Sequence, residues 1–398
     1  MINVEIPAEN TFERLSIGDT IEKKLPGVTR LGDARESQNF SLNDPPVMNI
    51  KKTTSETSLP CGSRPLFSQV LFSVLVFCVL SGGVSSAFAE TCQTSDDLDP
   101  ATRTAITTAG QRYFEMTAKD DAASLRKNAI ADLAANFSGI EDTVKTHQAE
   151  LAGAQARVRA IFELEAEATA SIPRAEFFCG VFNGKGQTSN SAVFVLTDLP
   201  PGKYAVAILD ASSPKARAAV SFVLQLVASE WKVGGLYIKS AQLGGHDSDW
   251  FTTQARAYKT KGQMHNAWLY YLEARSLASP VPFMSTGVTD KLYDESQSAL
   301  PADFPAGGKT TDLPVGGTTY KLADIFPQAV GDDLDLVVKY EASDISNTNV
   351  TYQANVAVMK ALLAKYPELK DGFAAVVARA VDRSGRDYGT MLPMKDIK

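Results

Sequence analysis

The spacing of apolar residues is helical from residue 100 to residue 170. Asp99-Pro100 is a helix start signal, because an aspartate side chain can cap a helix and proline fits its first turn. The acidic pair Asp120-Asp121 predicts a break before a second helix over residues 122–137. A third helix is predicted over residues 141–170, which are rich in the good helix former alanine. Its apolar stripe consists of Val144, Leu151, Val158, Ile161, Phe162 and Leu164.

The pattern changes to that of β-strands after residue 170. Runs of β-branched and aromatic residues follow one another, and the turn sequence at 198–203, with two prolines and a glycine, separates two of them. We predict an antiparallel meander in which one face of each strand is buried. Its strands are expected at residues 177–182, 191–197, 204–209, 219–228 and 231–239.

Helical spacing returns over residues 249–278, where we predict two helices joined by the turn Lys261-Gly262-Gln263. Residues 279–317 are rich in Pro, Gly and Ser, which predicts a long linker or a set of loops. The remaining pattern predicts strands at 320–326 and 334–341, a helix at 350–365, and a closing hairpin at 374–383 and 388–391.

Together these elements predict an α+β fold. It has a curved antiparallel sheet with helices packed on it, a helical hairpin, and a smaller C-terminal α+β domain. The predicted domain plan is a polar leader at 1–65, a signal or anchor segment at 66–89, a helical plus sheet domain at 90–243, the hairpin at 244–282, a linker at 283–317 and the C-terminal domain at 318–398.

A largely apolar run of 15 residues, 66–80, precedes the small residues of Ala87-Phe88-Ala89. A membrane-spanning helix needs about 20 apolar residues, whereas the apolar core of a secretory signal has about 7–15. Basic residues lie ahead of the run. The segment therefore predicts a signal peptide that is cleaved between Ala89 and Glu90, which would place the protein in the periplasm or outside the cell.

The position of this segment within the chain is unusual for a signal peptide. A start at Met48 would give it a normal basic beginning, so we expect residues 1–47 to come from a start codon assigned too early. The alternative is a single-pass membrane protein in which residues 66–85 stay uncleaved as the anchor.

Four cysteines, three histidines and a net charge of −7 narrow the function classes. Cleavage of the signal leaves Cys92 and Cys179, and we predict a disulfide between them because exported chains meet an oxidising compartment. Two free thiols are the alternative. The acidic balance argues against nucleic-acid binding, which needs a basic surface. With so few histidines, a His-rich metal site is not expected. No P-loop is present and no G-x-G-x-x-G motif follows a predicted strand, and no cofactor is expected.

The sequences at residues 221–227 and 230–238, with a long apolar strand, a tight turn and Glu-Trp-Lys-Val, resemble the last hairpin of the nuclear-transport-factor-2-like cone fold. The segment at 110–121 is similar to the opening helix of that fold, which ends in an acidic break. The resemblance covers about residues 100–243 and implies a cone-like α+β domain. Such concave sheets often form ligand pockets.

Residues 257–277 resemble one tetratricopeptide-type helical hairpin. Gly262, Ala267, Tyr270 or Tyr271, and Ala274 occupy positions where small and aromatic residues let two helices pack. Stacked repeats need neighbours to bury their faces, and the sequence has no second copy. The resemblance implies a hairpin that caps the cone sheet.

The richest polar cluster in the sequence is the segment 244–250. His246 with Asp247 or Asp249 forms a candidate catalytic site, because a histidine beside carboxylates can act as a general base. Asp249 is also placed to cap a helix that begins at Trp250, which is the structural explanation. Trp231, Tyr237 and Trp250 are candidate ligand-binding aromatics, although large aromatic residues more often belong to a core.

We therefore expect an exported, non-catalytic binding or assembly protein. It would bind a small apolar ligand in the sheet concavity, or a protein partner on the helical hairpin. The alternative is a cone-fold hydrolase or isomerase that uses His246 with Asp247 or Asp249. This alternative requires His246 to point into a pocket with a carboxylate within hydrogen-bond distance. A third possibility is a membrane-tethered assembly factor, if the segment 66–85 stays uncleaved.

Overall fold

The computed structural model describes residues 90–398 except Lys185 and Asp332. The leader, the signal segment and the Ala89 side of the predicted cleavage site lie outside the described residues, and Glu90 begins the first strand. The fold class is α+β, as predicted, with eight α-helices and thirteen strands among the described residues. No helix in that part of the chain is both long and apolar enough to cross a membrane.

The elements up to the helical hairpin follow one another in this order. They are β1 (Glu90–Thr94), α1 (Pro100–Ala118), α2 (Ala122–Lys127), α3 (Ala131–Ala135), α4 (Ser138–Leu151), β2 (Gln155–Ala166), β3 (Ile172–Asn183), β4 (Gly186–Leu199), β5 (Gly202–Ser212), β6 (Arg217–Val227), β7 (Glu230–Ser240), α5 (Ser248–Thr260) and α6 (Met264–Ala278).

The remaining elements form the C-terminal part of the chain. They are β8 (Met284–Thr286), α7 (Gly287–Gln297), β9 (Thr311–Val315), β10 (Thr318–Val330), β11 (Asp333–Glu341), α8 (Thr348–Lys365), a 3-10 turn (Pro367–Asp371), β12 (Ala375–Val381), β13 (Asp387–Pro393) and a second 3-10 turn (Met394–Asp396).

The helix starts predicted from acidic residues are confirmed. The Asp99 carboxylate accepts hydrogen bonds from the backbone N–H groups of Ala101 at 2.9 Å and Thr102 at 3.1 Å. Asp121 caps α2 in the same way, by accepting from the backbone N–H of Ser124. The second predicted helix, 122–137, divides into α2 and α3. The local signal thus located the starts correctly but not the ends.

The third predicted helix, 141–170, is wrong beyond Leu151. α4 ends there, Gly153 has a φ of 73°, and β2 follows. Ile161 points toward the helices, whereas Phe162 and Leu164 point to the opposite face of the sheet. A strand buried on both faces has apolar residues at consecutive positions, and this pattern was mistaken for a helical stripe.

The first sheet has the order β1-β2-β5-β6-β7 with every neighbouring pair antiparallel. Helices α1 to α4 cover one face and share a core with it. The Tyr113 hydroxyl donates to the backbone carbonyl of Trp231 at 2.6 Å, which joins α1 to β7. The predicted single meander is wrong for β3 and β4, because they leave this sheet and pair with each other.

A second sheet, of order β3-β4-β8, covers the opposite face of the first sheet. The core between the two sheets includes Phe177 and Phe194, both fully buried. The predicted disulfide is confirmed: Cys92 on β1 and Cys179 on β3 are bonded, with their Cα atoms 5.0 Å apart. The disulfide therefore ties the edge of the first sheet to the second sheet.

The third sheet has the order β13-β12-β11-β10-β9. β11 and β12 are parallel, and α8 provides the crossover connection that parallel neighbours need. The predicted helical hairpin is confirmed as α5 and α6, with Gly262 at a φ of 77° in its turn. This hairpin shares its core with the third sheet and α8, rather than capping the first sheet.

The predicted linker at 283–317 is wrong, because this range contains β8, α7 and β9. β8 pairs with β4 and so completes the second sheet. β9 pairs with β10 in the third sheet. The segment therefore bridges two sheets, which its Pro, Gly and Ser content did not indicate.

Candidate functional site

The loop that carries the candidate histidine is a helix start. The His246 ring stacks on the Trp250 ring with centroids 3.7 Å apart and planes at 9°. Its backbone exchanges two hydrogen bonds with Leu243, at 2.9 and 3.0 Å. Asp247, and not Asp249, caps α5, because its side chain accepts from the backbone N–H of Trp250 at 3.1 Å. Asp249 lies exposed in the first turn.

The hydrolase or isomerase alternative requires a carboxylate within hydrogen-bond distance of His246. Within the described residues, no side-chain hydrogen bond joins His246 to a carboxylate. The Asp247 carboxylate already accepts a hydrogen bond from the first turn of α5. One face of the His246 ring is covered by the Trp250 indole. The hydrolase or isomerase alternative thus lacks, in this part of the chain, the pairing that it requires.

The three candidate ligand-binding aromatics do not converge on one site. Trp231 is 7% exposed and belongs to the core between the helices and the first sheet. Tyr237 points to the opposite face, where its ring lies 5.3 Å from that of Phe283. Burial raises the pKa of Tyr237 to about 12. Trp250 is half-buried against Phe251 and His246, at the core that the helical hairpin shares with the third sheet.

A depression on the described surface lies elsewhere, on α8. It is open and shallow, with a volume of about 320 Å³. Its lining consists of Tyr352, Gln353, Val356, Ala357 and Lys360. None of the predicted site residues takes part in it.

A histidine that was not selected from the sequence makes the stronger carboxylate contacts. His265, in the first turn of α6, has Nε2 3.0 Å from Asp303 Oδ1 and Nδ1 2.5 Å from Glu368 Oε1. Its ring also packs against Phe304 and Tyr366. Because both ring nitrogens are occupied, neither is free to take a proton from a substrate or to bind a metal ion.

Other hydrogen bonds near His265 also join α6 to the residues that follow α8. The Tyr270 hydroxyl donates to the Gly372 carbonyl at 2.6 Å, and the Asn266 amide donates to the Glu368 carbonyl at 2.6 Å. Burial pushes the pKa of Asp303 upward, but the His265 hydrogen bond and nearby positive charge outweigh it and leave that pKa below its usual value. Together these contacts hold α6 against the residues that follow α8.

A second charged group lies where the first sheet meets α6 and α7. We call it the junction cluster and define it as Lys239, Glu273, Arg275 and Asp290. Lys239 Nζ donates to the backbone carbonyl of Ser276 at 2.8 Å, at the C-terminal end of α6. Burial raises the pKa of Glu273 to about 7, although the positive charge of Lys239 works in the opposite direction.

The rest of the junction cluster is tied to the second sheet. Gln187 Nε2 donates to Asp290 at 2.6 Å and to Ser285 at 3.0 Å. Burial raises the pKa of Asp290. The Arg275 guanidinium lies 5.1 Å from the centre of the Tyr293 ring. The cluster thus joins β4, β7, β8, α6 and α7 through side chains that are distant in sequence.

The C-terminal part of β3, in the second sheet, carries exposed apolar side chains. We call Phe178, Val181 and Phe182 on β3 the outer patch. Phe178 is 46% exposed and Val181 is 62% exposed. The rings of Phe178 and Phe182 are in edge contact, with centroids 5.8 Å apart. Phe178 lies opposite Val193 of β4, which is only partly buried, so the apolar surface continues onto the next strand.

Among residues 90–398 as described, no group of three or more His, Cys, Asp or Glu side chains is placed to hold a metal ion. No family model, curated protein or solved structure matches the chain. The resemblance to the nuclear-transport-factor-2-like fold and to a tetratricopeptide hairpin therefore stays a prediction.

Proposed function

We propose that the chain is an exported, non-catalytic binding or assembly protein that contacts another protein through the outer patch. The observation that carries this proposal is the exposure of Phe178, at 46%, and of Val181, at 62%, in the C-terminal part of β3. Exposed apolar patches on folded proteins often mark interaction sites. The partner we propose is a protein that binds the outer patch with an apolar segment.

Export is supported by the Cys92–Cys179 disulfide, because such bonds persist in oxidising compartments. The signal-like segment at 66–89 points the same way. We propose a periplasmic or secreted protein rather than a membrane-anchored one. Mass spectrometry of the native N-terminus tests this: a chain that begins at Glu90 supports cleavage, and a chain that retains residues 66–85 contradicts it.

The packing of the sheets favours a protein partner over a small apolar ligand. α1 to α4 cover one face of the first sheet and the second sheet covers the other, and their side chains fill both cores. The helical hairpin offers little apolar surface for a partner, because α6 is buried along most of its length against its own chain. The outer patch is exposed by comparison.

The charges beside the outer patch support an apolar partner. Arg174 Nε lies 2.6 Å from Glu176 Oε1 on the same strand, so the two charges neutralise each other. Such a rim does not select a charged ligand by long-range attraction. Selection would then rest on apolar contact with the aromatic rings, which dominate the energetics of protein interfaces.

The experiment compares two valines of equal exposure. Val181 in the outer patch and Val350 at the start of α8 are each 62% exposed. A photo-cross-linking amino acid replaces one or the other in the exported chain, and the cells are irradiated before the protein is isolated. We expect a protein adduct of defined mass from position 181 and not from position 350.

The Phe178→Ser substitution in the chain that carries the cross-linker at position 181 is the second test. It removes a ring of the outer patch that also contacts Phe182, so the yield of the adduct should fall. Equal adducts from positions 181 and 350, or none from position 181, would contradict the proposal. An adduct with twice the mass of the chain would replace the separate partner by a second copy of this protein.

A further inference from the structure

The histidine at the start of α6 lies between two carboxylates from different parts of the fold. His265 Nε2 lies 3.0 Å from Asp303 Oδ1, in the loop after α7, and Nδ1 lies 2.5 Å from Glu368 Oε1, in the 3-10 turn after α8. The His265 side chain is 15% exposed and that of Glu368 is 22% exposed, so water can replace these contacts only in part. A carboxylate oxygen can only accept a hydrogen bond. Both contacts therefore need a proton on the ring nitrogen that makes them.

The imidazole ring meets this requirement in only one of its two charge states. The imidazolium ion carries a proton on both nitrogens, whereas neutral imidazole carries one. When His265 loses a proton, one nitrogen becomes an acceptor that faces a carboxylate oxygen, which is also an acceptor. That hydrogen bond is then replaced by repulsion between lone pairs. Histidine is the side chain that ordinarily changes charge between about pH 5 and pH 8.

The other charged groups around His265 do not replace its positive charge at Glu368. Lys365, at the end of α8, lies 4.0 Å from the Asp303 carboxylate instead. Within the described residues, no lysine or arginine nitrogen lies within 4.0 Å of the Glu368 carboxylate. The remaining titratable groups of the elements that pack here have positions of their own: Tyr366 donates to the Asp303 carbonyl, Tyr258 donates to the Asp371 carbonyl, the Asp371 carboxylate accepts from Gln263, Lys261 lies over the Tyr258 ring, and Lys370 is exposed.

We propose that His265 is a pH-responsive latch, which holds the first turn of α6 to the loop after α7 and to the turn after α8 while its ring is protonated, and which loosens when the ring becomes neutral. The latch lies at the core that the hairpin shares with the third sheet and α8, and it is independent of the outer patch. The hydrogen bonds of Asn266 and Tyr270 to the residues after α8 remain in both states. The loosening is therefore local.

The direction of the response follows from proton linkage. The folded chain places two carboxylates against the protonated ring, and the unfolded chain does not, so the latch contributes stability while the ring is protonated. This contribution is lost as the pH rises through the titration of the ring. Asp303 stays ionised across that range: burial raises its pKa, but the His265 hydrogen bond and nearby positive charge leave that pKa below the ordinary 3.8.

The test compares the exported chain with His265→Gln and with His246→Gln as the matched control. His246 stacks on Trp250 and, within the described residues, has no side-chain hydrogen bond to a carboxylate, so its substitution makes the same chemical change outside the latch. Hydrogen exchange of residues 366–372 is measured at about pH 6 and about pH 8.5 and corrected for the intrinsic exchange rate. In the wild type and His246→Gln, we expect roughly tenfold lower protection at the higher pH, which corresponds to the loss of one hydrogen bond.

In His265→Gln, protection of this turn should be the same at both pH values. Glu368→Gln should also remove the pH dependence, because its amide can accept from a protonated ring and donate to a neutral one. The same loss of protection in either variant as in the wild type would overturn the proposal, as would constant protection in the wild type.

If His265→Gln does not fold, an NMR titration of the ring nitrogens in the wild type decides, because the chain has only three histidines. We expect the His265 ring to carry protons on both nitrogens at about pH 6 and on one nitrogen at about pH 8.5. A ring that carries one proton at the lower pH, or two at the higher pH, overturns the proposal.

Discussion

Removal of the Cys92–Cys179 disulfide should destabilise the protein by an amount that the sequence separation sets. The bond joins residues that are 87 apart in sequence and closes a loop of nearly that length. On the chain-entropy model, a loop of this size contributes about 4–5 kcal/mol by restricting the unfolded chain. The double variant Cys92→Ala/Cys179→Ala removes the bond without leaving an unpaired thiol. Alanine also keeps the buried position of Cys179 apolar.

The assay is thermal unfolding of the exported chain, followed by circular dichroism. For a chain of this size, the loss corresponds to a melting temperature lower by roughly 10 °C. Reductant should lower the melting temperature of the wild type toward that of the double variant, and it should not change the double variant. Equal melting temperatures, or two reactive thiols in the denatured wild type without reductant, would refute the reasoning.

Three smaller substitutions test the local structure. Asp247→Ala should destabilise the chain by about 1 kcal/mol in urea unfolding because it removes the cap of α5, and Asp249→Ala should cost less; the reverse order would restore Asp249 as the cap. Ser221→Ala should leave the free energy of unfolding unchanged or raise it by about 1 kcal/mol, because the fully buried Ser221 hydroxyl has no hydrogen-bond partner. A clear loss of stability in Ser221→Ala would show that this hydroxyl has a partner.

The features that the sequence predicted well depend on neighbouring residues. Asp99-Pro100 marks the start of α1 whatever the rest of the chain does, because capping uses backbone groups two and three residues away. The turn at Gly262 was found for the same reason. The disulfide was predicted from compartment and from the number of cysteines, without knowledge of the fold.

The segments that were misassigned depend on pairing between distant parts of the chain. β2 is a strand because β1 and β5 pair with it on its two sides, whereas its alanine and glutamate content favours a helix. The start of α7 has a reciprocal cap between Thr286 and Thr289. The usual sequence signature has Glu or Gln at the second position, so the helix was assigned to a linker.

The carboxylate contacts of His265 also join residues that are distant in sequence. His265 and Glu368 are 103 residues apart, and His265 and Asp303 are 38 apart. Nothing in the sequence near His265 distinguishes it from an exposed histidine. His246, in contrast, has aspartates one and three residues after it, which indicated a site in a loop where Asp247 instead caps a helix.

The central claim is that the outer patch on β3 is a surface for another protein. Photo-cross-linking from position 181, with position 350 as the matched control, tests it most directly, because both valines are 62% exposed. The account predicts a protein adduct of defined mass from position 181, with a lower yield in the Phe178→Ser background. Adducts of equal yield from both positions, or no adduct from position 181, would contradict it.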